Sequence, residues 1–281
     1  MRDAPSSLAN SLFLRTARSA ASKTLPPFVA LVVFLLTWEI GVRWLGVAAY
    51  LLPPPSAILS AAKRDAINLL MGAWTTAKTA LFGFALSGVL GVLAAVILSS
   101  ARVIERAFYP YTVFLQTVPI VAIAPILAVW FGPGFLAVSV CAFIVSVFPV
   151  IANTVTGLRS VDPALKDLFR LYGASRWASL VKLTLPSALP NIVTGLRIAG
   201  GLSVIGTLVG ELFAGFSEGA PGLGIVVQTA AKQLKTDLLF AAVFSATFLG
   251  LLLFGVVNAV GSRVLGRWHP SEKLDQSEIE S

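Results

Sequence analysis

The sequence predicts an all-α polytopic membrane protein with six transmembrane helices, and three observations support this fold class. Hydrophobic residues make up 57% of the 281 residues and charged residues only 12%, whereas soluble domains carry about a quarter charged residues. Six apolar stretches approach the roughly 20 residues that a helix needs to cross a bilayer. Between two of them lies a polar, basic segment, residues 158–190, which should lie outside the membrane.

The six predicted spans follow one another with short connections. We place them at residues 28–46, 77–99, 108–131, 135–157, 191–215 and 238–265. The transmembrane domain then occupies residues 28–268, with its core at 70–265. Residues 1–27 and 269–281 remain as terminal tails, and the second is acidic, polar and predicted to be disordered.

The connection after the first span contains Pro53-Pro54-Pro55 and then apolar residues at helical spacing. This pattern predicts a short amphipathic helix on the outer surface. The residues that set the spacing are Leu59, Ala62, Ala66, Leu69 and Leu70.

Prolines interrupt the third and fourth spans. They are Pro110, Pro119 and Pro125 in the third and Pro149 in the fourth. A proline kinks a helix, and in lipid the freed carbonyls need partners from neighbouring helices or water. The pattern fits helices that line a path and also fits irregular packing.

The distribution of Lys and Arg predicts the orientation. With the amino terminus inside, fourteen fall on the inner side and six on the outer side, with Arg197 inside the fifth span left out. Because basic residues collect on the cytoplasmic side, both termini and residues 158–190 are expected there. The same rule explains the net charge of +8 better than a nucleic-acid partner does.

Sequence signals for enzymatic chemistry are absent. The chain has no GxxxxGK[ST] loop for ATP, no HExxH, no CxxC and no GxSxG. With one cysteine, Cys141, and one histidine, His269, we expect no metal site, no bound cofactor and no catalytic role.

Residues 158–190 predict two short helices joined by a tight turn. Asp162-Pro163 is a good helix start, and a helix should run over 163–171. Gly173 then breaks it. A second helix is expected from Ser175 to Thr184, stopping before Pro186.

This segment resembles the cytoplasmic loop of ABC-importer permeases, whose motif reads EAA, three residues, G, nine residues, I, one residue, LP. Asp167 stands at the Glu, Gly173 at the Gly, Leu183 at the Ile, and Leu185-Pro186 closes the motif. The departures are Leu168 and Phe169, which replace the two alanines.

The resemblance extends over about residues 70–268. Segments 114–134, 148–165 and 185–201 are similar to the nitrate, sulfonate, taurine and thiamine-precursor branch of these permeases. DLFRLYGASRW and the terminal RWHPSE are closer to its pyrimidine-precursor and riboflavin-type members.

The family implies a type I importer fold in the bacterial inner membrane. Two permease subunits, here expected to be identical, would pair with two ATPase subunits that carry ATP and Mg²⁺. A periplasmic or lipid-anchored binding protein would deliver the solute. Residues 158–190 would be the coupling loop that docks on the ATPase, and the contributing residues would be Asp167, Arg170, Gly173, Ala174, Ser175, Leu183, Leu185 and Pro186.

Polar residues within the spans are candidates for the translocation path: Gln116, Asn153, Ser203, Thr207 and Glu211. A carboxylate at mid-bilayer costs around 2.5–3.5 kcal/mol on insertion scales, so Glu211 should face the path or lie in water at the outer interface. Gly206 and Gly210 form a GxxxG spacing, which allows close packing at a dimer seam or within the subunit.

The resulting hypothesis is import of a small organic solute by alternating access, driven by ATP hydrolysis in a separate subunit. The solute would be a pyrimidine or thiamine precursor or riboflavin-like, and the alternative is a sulfonate, taurine or nitrate-type anion. An ion-gradient transporter is disfavoured, because it needs ionisable residues deep in several spans. A membrane-embedded enzyme would need a catalytic pair within the spans, and none is present.

Overall fold

A computed structural model describes residues 5–215 and 221–268, and within these ranges the chain is helical without strands. The predicted tail at 269–281 lies outside the described residues. The helices are α1 Pro5–Trp44, α2 Pro55–Arg64, α3 Ala66–Ser99, α4 Arg102–Thr117, α5 Ile120–Phe131, α6 Phe135–Arg159, α7 Pro163–Leu171, α8 Arg176–Ser179, α9 Leu185–Ala214, α10 Leu223–Lys232 and α11 Thr236–Trp268. A π-helical segment, Leu180–Thr184, joins α8 to α9.

Five helical stretches in the described ranges are long and apolar enough to cross a membrane. They correspond to the first, second, fourth, fifth and sixth predicted spans, and they confirm the all-α membrane class. Their bounds are Leu25–Trp44, Ala66–Ser99, Phe135–Arg159, Arg176–Ala214 and Thr236–Leu265.

The third predicted span is not one helix, and this part of the prediction was wrong. Residues 108–131 are divided between α4 and α5, which are separated at Val118 and Pro119. Val118 is extended, with φ −71° and ψ 124°. The proline ring disfavours helical geometry in the residue before it, so the helix ends there and restarts at Ile120.

The outer connection is partly as predicted. The amphipathic helix is α2, and it ends at Arg64. Ala66, Leu69 and Leu70 belong instead to α3, which begins at Ala66 rather than at residue 77. No proline stands between Ala66 and residue 77, and the one glycine there, Gly72, is tolerated inside a helix, so the helix extends ahead of the apolar span. The short helix α10 was not predicted.

Helices α6 and α9 form the most extensive helix pair and the centre of the bundle. Glycines on α9 allow this approach. A Cβ added at Gly206 would lie 2.9 Å from the Ala142 Cα and from the Cys141 carbonyl oxygen. At Gly210 it would lie 3.1 Å from the Val138 Cα. The sequence left two explanations for the GxxxG spacing, close packing at a dimer seam or close packing within the subunit. The structure shows close packing within the subunit.

The bundle has two distinct ends. At one end, the last residues of α3 and α6 lie beside α7 and α8 around a shared cavity. At the other end, α2 and the start of α11 are tied together, since Arg64 pairs with Asp237 at 3.4 Å. The Thr236 hydroxyl also donates to the Tyr50 carbonyl at 2.7 Å. We call these the coupling end and the opposite end.

Candidate functional site

Helix α7 forms as its sequence predicts. The Asp162 carboxylate accepts a hydrogen bond from the Ala164 N–H at 2.8 Å, and Pro163 occupies the first helical position. This cap satisfies one of the free backbone donors at the helix start. The chain leaves α7 through Gly173, whose φ of 68° is accessible to glycine without steric cost.

The turn between α7 and α8 is fixed by backbone and side-chain hydrogen bonds. The Gly173 N–H donates to the Arg170 carbonyl at 3.0 Å, and the Ala174 N–H donates to the Phe169 carbonyl at 2.9 Å. Ser175 then caps α8, because its hydroxyl accepts from the Ala178 N–H at 3.1 Å. The predicted two-helix element with a glycine turn is confirmed.

The second helix does not stop before Pro186, so that prediction was wrong. Helix α8 continues through the π-helical segment into α9, and Pro186 lies in the first turn of α9. Pro186 has no N–H to bond the carbonyl four residues earlier. In the π-helical segment, an N–H bonds the carbonyl five residues earlier instead of four. The Leu185 N–H, for example, donates to the Leu180 carbonyl. The part of the coupling loop from α8 onward is therefore joined to α9 without a break in the helix.

The coupling loop presents large side chains to its surroundings. None of the nine residues of α7 is buried. Leu171 is 85% exposed, Tyr172 83% and Trp177 73%. Exposed aromatic and aliphatic side chains grouped together mark interaction sites, so this face is suited to docking a partner.

The predicted coupling residues divide into exposed and anchoring groups. Asp167 and Arg170 are exposed and form an ion pair at 3.3 Å. Leu183 is buried, and Leu185 packs against a core cluster that includes Val155 and Ala188. The second half of the motif therefore holds the loop on the bundle.

Glu211 is buried among three helices, with 5% of its surface exposed. The Thr76 hydroxyl of α3 donates to Oε1 at 2.8 Å. The Gly224 N–H, at the start of α10, donates to Oε2 at 2.7 Å. Thr76 also accepts from the Leu223 N–H at 2.9 Å. Glu211 therefore joins α3, α9 and α10, and we call this group the carboxyl clasp.

The carboxyl clasp depends on glycines that sequence reasoning missed. A Cβ at Gly222 would overlap the Glu211 carboxyl group, and one at Gly224 would lie 2.8 Å from the Glu211 Cβ. Thr76 stands 135 residues before its partner, so no local spacing connects them. The only feature of the sequence that pointed to this site was Glu211 itself, a carboxylate inside an apolar helix.

The other predicted path residues do not converge on one site. Ser203 and Thr207 are fully buried, and their hydroxyls donate to carbonyls of their own helix at 2.9 and 2.8 Å. The Asn153 amide donates to the Pro149 carbonyl at 2.8 Å, whereas Gln116 is exposed on α4. Ser203, Thr207 and Glu211 are buried within the single chain, and their assignment to a translocation path stays a prediction.

An ion pair between a buried glutamate and an exposed arginine at the coupling end was also missed by sequence reasoning. Glu105 of α4 is 8% exposed and pairs with Arg159 in the last turn of α6. The pair ties the start of α4 to the end of the bundle beside the coupling loop.

Membrane-spanning helices around a close-packed centre, with an exposed docking element at one end, define a polytopic membrane protein that works with a separate partner. Residues 87–266 match the family described as the binding-protein-dependent transport system inner membrane component. The chain belongs to this family and is a permease subunit of an ABC importer. Permeases of this family work with ATPase and binding-protein subunits.

Several named relatives are similar along most of the chain. The formylaminopyrimidine transport permease protein ThiX of Halalkalibacterium halodurans is 34% identical, over 86% of this chain and 96% of the relative. The riboflavin transport system permease protein RibX of Chloroflexus aurantiacus is 31% identical, over 86% and 90%. The aliphatic sulfonates permease SsuC of Escherichia coli, described as putative, is 29% identical, over 90% and 95%.

Solved structures confirm the importer permease fold. A chain of the inward-facing MetNI methionine ABC transporter aligns with a TM-score of 0.57 at 18% identity, over 70% of this chain and 98% of that chain. A chain of a bacterial alginate ABC transporter aligns with a TM-score of 0.53 at 16% identity, over 87% and 97%.

Proposed function

We propose that this permease imports a small heteroaromatic solute, a pyrimidine or thiamine precursor or a riboflavin-like molecule. The two relatives named for such solutes, ThiX and RibX, are 34% and 31% identical to it. The relatives named for aliphatic sulfonates are 28% and 29% identical. A periplasmic or lipid-anchored binding protein would deliver the solute, and two identical permease subunits would form the path.

A sulfonate, taurine or nitrate-type anion is the second candidate, and Arg197 favours it. This arginine lies within the membrane-spanning part of α9, and its Nε is buried without a hydrogen-bond partner among the described residues. A cation held in a span without a counter-charge would suit a passing anion.

The coupling loop would dock on an ATPase subunit that carries ATP and Mg²⁺, and this chain would bind neither. The observation that carries this proposal is the exposed group of Leu171, Tyr172 and Trp177 on an element continuous with α9. The excess of Lys and Arg favours a cytoplasmic position for this end and for both termini.

Continuity between the coupling loop and α9 provides a route for alternating access. Closure of the ATPase dimer would displace α7 and α8. Because α8 continues into α9 without a break, that displacement moves α9 directly. Helix α6 would move with it, since glycines on α9 bring the two helices into close contact. The path would then change the side of the membrane to which it opens.

Trp177→Ala should lower recovery of the ATPase with the tagged permease by about tenfold or more, since a central aromatic anchor contributes about 2 kcal/mol or more to an interface. Trp74→Ala is the matched control, because Trp74 is also exposed, at 66%, but lies on α3 away from the coupling loop. Both variants should insert into the membrane and elute from a size-exclusion column as the unmodified permease does. Equal recovery of the ATPase with both variants would refute docking at this face.

Uptake into proteoliposomes that contain permease, ATPase and the cognate binding protein should require ATP and be blocked by vanadate. Labelled formylaminopyrimidine, riboflavin and taurine would be compared in the same preparation. We expect uptake of one of the two heteroaromatic solutes to exceed that of taurine. Taurine as the preferred solute would favour the anion alternative, and Arg197→Gln should then reduce its uptake.

A further inference from the structure

Two open cavities at the coupling end share one wall and carry an excess of positive charge. The first, of about 770 Å³, lies between the starts of α4 and α7 and the end of α6. The second, of about 820 Å³, lies between the end of α3 and the α7–α8 element. Ser99, Leu158 and Lys166 line both, so we treat them as one basic cavity.

The charges around the basic cavity are unbalanced. Among the residues whose side chains are described, the basic lining residues are Arg106, Arg159, Lys166, Arg170 and Arg176, and the only acidic one is Glu105. Glu105 is already paired with Arg159, and Arg170 is paired with Asp167. Within residues 25–215 and 221–265, Arg106, Lys166 and Arg176 have no ion-pair partner within 4.0 Å. Three uncompensated cations therefore surround a concave polar space.

Ser99 supplies an independent sign that the basic cavity takes a ligand. Its hydroxyl oxygen is buried and makes no hydrogen bond to any described residue, although it lies on the wall shared by both cavities. A buried hydroxyl without a partner is costly. Rotation of the Ser99 side chain toward the cavity would let a ligand with acceptor oxygens satisfy the hydroxyl and the cations together.

The position of the basic cavity identifies the class of ligand. It lies where the spans α3 and α6 end, at Ser99 and Arg159, which is the level of lipid headgroups. Tyr109 and Pro110 of α4 form one side, and the next turn of α4 exposes Tyr111 and Phe114. The cavity thus adjoins exposed apolar surface on one side and cations on the other.

We propose that the basic cavity binds the phosphate group of an anionic phospholipid from the adjoining leaflet. The phosphate oxygens accept hydrogen bonds from Lys166, Arg106 and the Ser99 hydroxyl, and the acyl chains lie along α4. Because Lys166 belongs to α7, a bound lipid holds the coupling loop to the ends of the spans.

The test measures lipid retained by the purified permease–ATPase complex after reconstitution in an equal mixture of phosphatidylcholine and phosphatidylglycerol. Native mass spectrometry should show bound phosphatidylglycerol on the unmodified complex. Arg106→Gln/Lys166→Gln should lower its apparent affinity by about thirtyfold, since each basic residue contributes about a fivefold factor near anionic lipid. Ser99→Ala, which leaves the charges in place, should lower it several-fold.

Lys63→Gln/Lys235→Gln is the control, because it removes two exposed charges at the opposite end and should leave retention unchanged. Equal retention by both double variants would overturn the proposal. Displacement of phosphatidylglycerol by inorganic phosphate would assign the cavity to free phosphate instead. Loss of the ATPase from the Arg106→Gln/Lys166→Gln complex, with lipid retention unchanged, would assign the cavity to protein docking.

Discussion

Gly206→Leu is expected to destabilise the permease by about 3 kcal/mol or more, because the leucine has no space between α9 and α6. A single added Cβ at this position already lies 2.9 Å from two backbone atoms of α6, the Ala142 Cα and the Cys141 carbonyl oxygen. Backbone atoms cannot move aside as a flexible side chain can. The two helices must separate, and the close contacts at the centre of the bundle are lost.

Gly201→Leu is the matched control for this prediction. Gly201 lies on the same helix, one and a half turns away, and a Cβ there meets nothing within 4 Å. Both changes gain the same helix propensity, so the difference between the variants measures the close contact alone. Thermal unfolding in detergent, followed by size-exclusion chromatography, should show early loss of the monodisperse peak for Gly206→Leu only. Indistinguishable unfolding curves would contradict the packing of α6 against α9.

Glu211→Ala is expected to have the second large effect, a loss of about 3 kcal/mol. It leaves the Thr76 hydroxyl and the Gly224 N–H buried without their partner, and each such group costs about 1–3 kcal/mol. The Gly224 N–H bond to Glu211 and the Leu223 N–H bond to Thr76 help to hold α10 on the bundle, beside the apolar packing of Leu223. Thermal unfolding of the variant in detergent should therefore begin at clearly lower temperature.

Glu211→Gln separates a structural role of the carboxyl clasp from a requirement for charge. The glutamine carbonyl can accept from Gly224, and its amide can donate to the second lone pair of Thr76, so most of the stability should return. Solute uptake by this variant tests the path prediction separately. Normal stability with abolished uptake would show that Glu211 acts on the solute. Normal stability together with normal uptake would show that Glu211 acts only in the carboxyl clasp.

Local physical chemistry explains which predictions were confirmed. Helix α7 begins at Pro163 after the Asp162 cap and ends at Leu171, just before the turn at Gly173. Both ends were predictable because capping and left-handed backbone geometry depend on residues within one turn. The fifth span was located from its apolar length alone. The break at Pro119 was readable from the residue itself, yet the surrounding apolar run suggested one continuous span.

Other features depended on contacts that no short window contains. Pro186 was expected to end a helix, and the π-helical segment allows the helix to continue, since a change in hydrogen-bond register replaces the missing donor. Ser203 and Thr207 were predicted to line a path because they are polar residues within a span. Each hydroxyl bonds a carbonyl about one turn earlier in its own helix, and polarity alone does not distinguish that arrangement from exposure to a path.

The sequence by itself determined the membrane class, the approximate positions of five spans and the shape of the coupling loop, because hydropathy, capping and glycine geometry act over a few residues. Only the tertiary structure decided that Glu211 joins three helices, that Gly206 packs on α6, and that cations from α4, α7 and α8 surround one cavity. These arrangements bring together residues distant in the chain, and their energies depend on distances that packing alone sets.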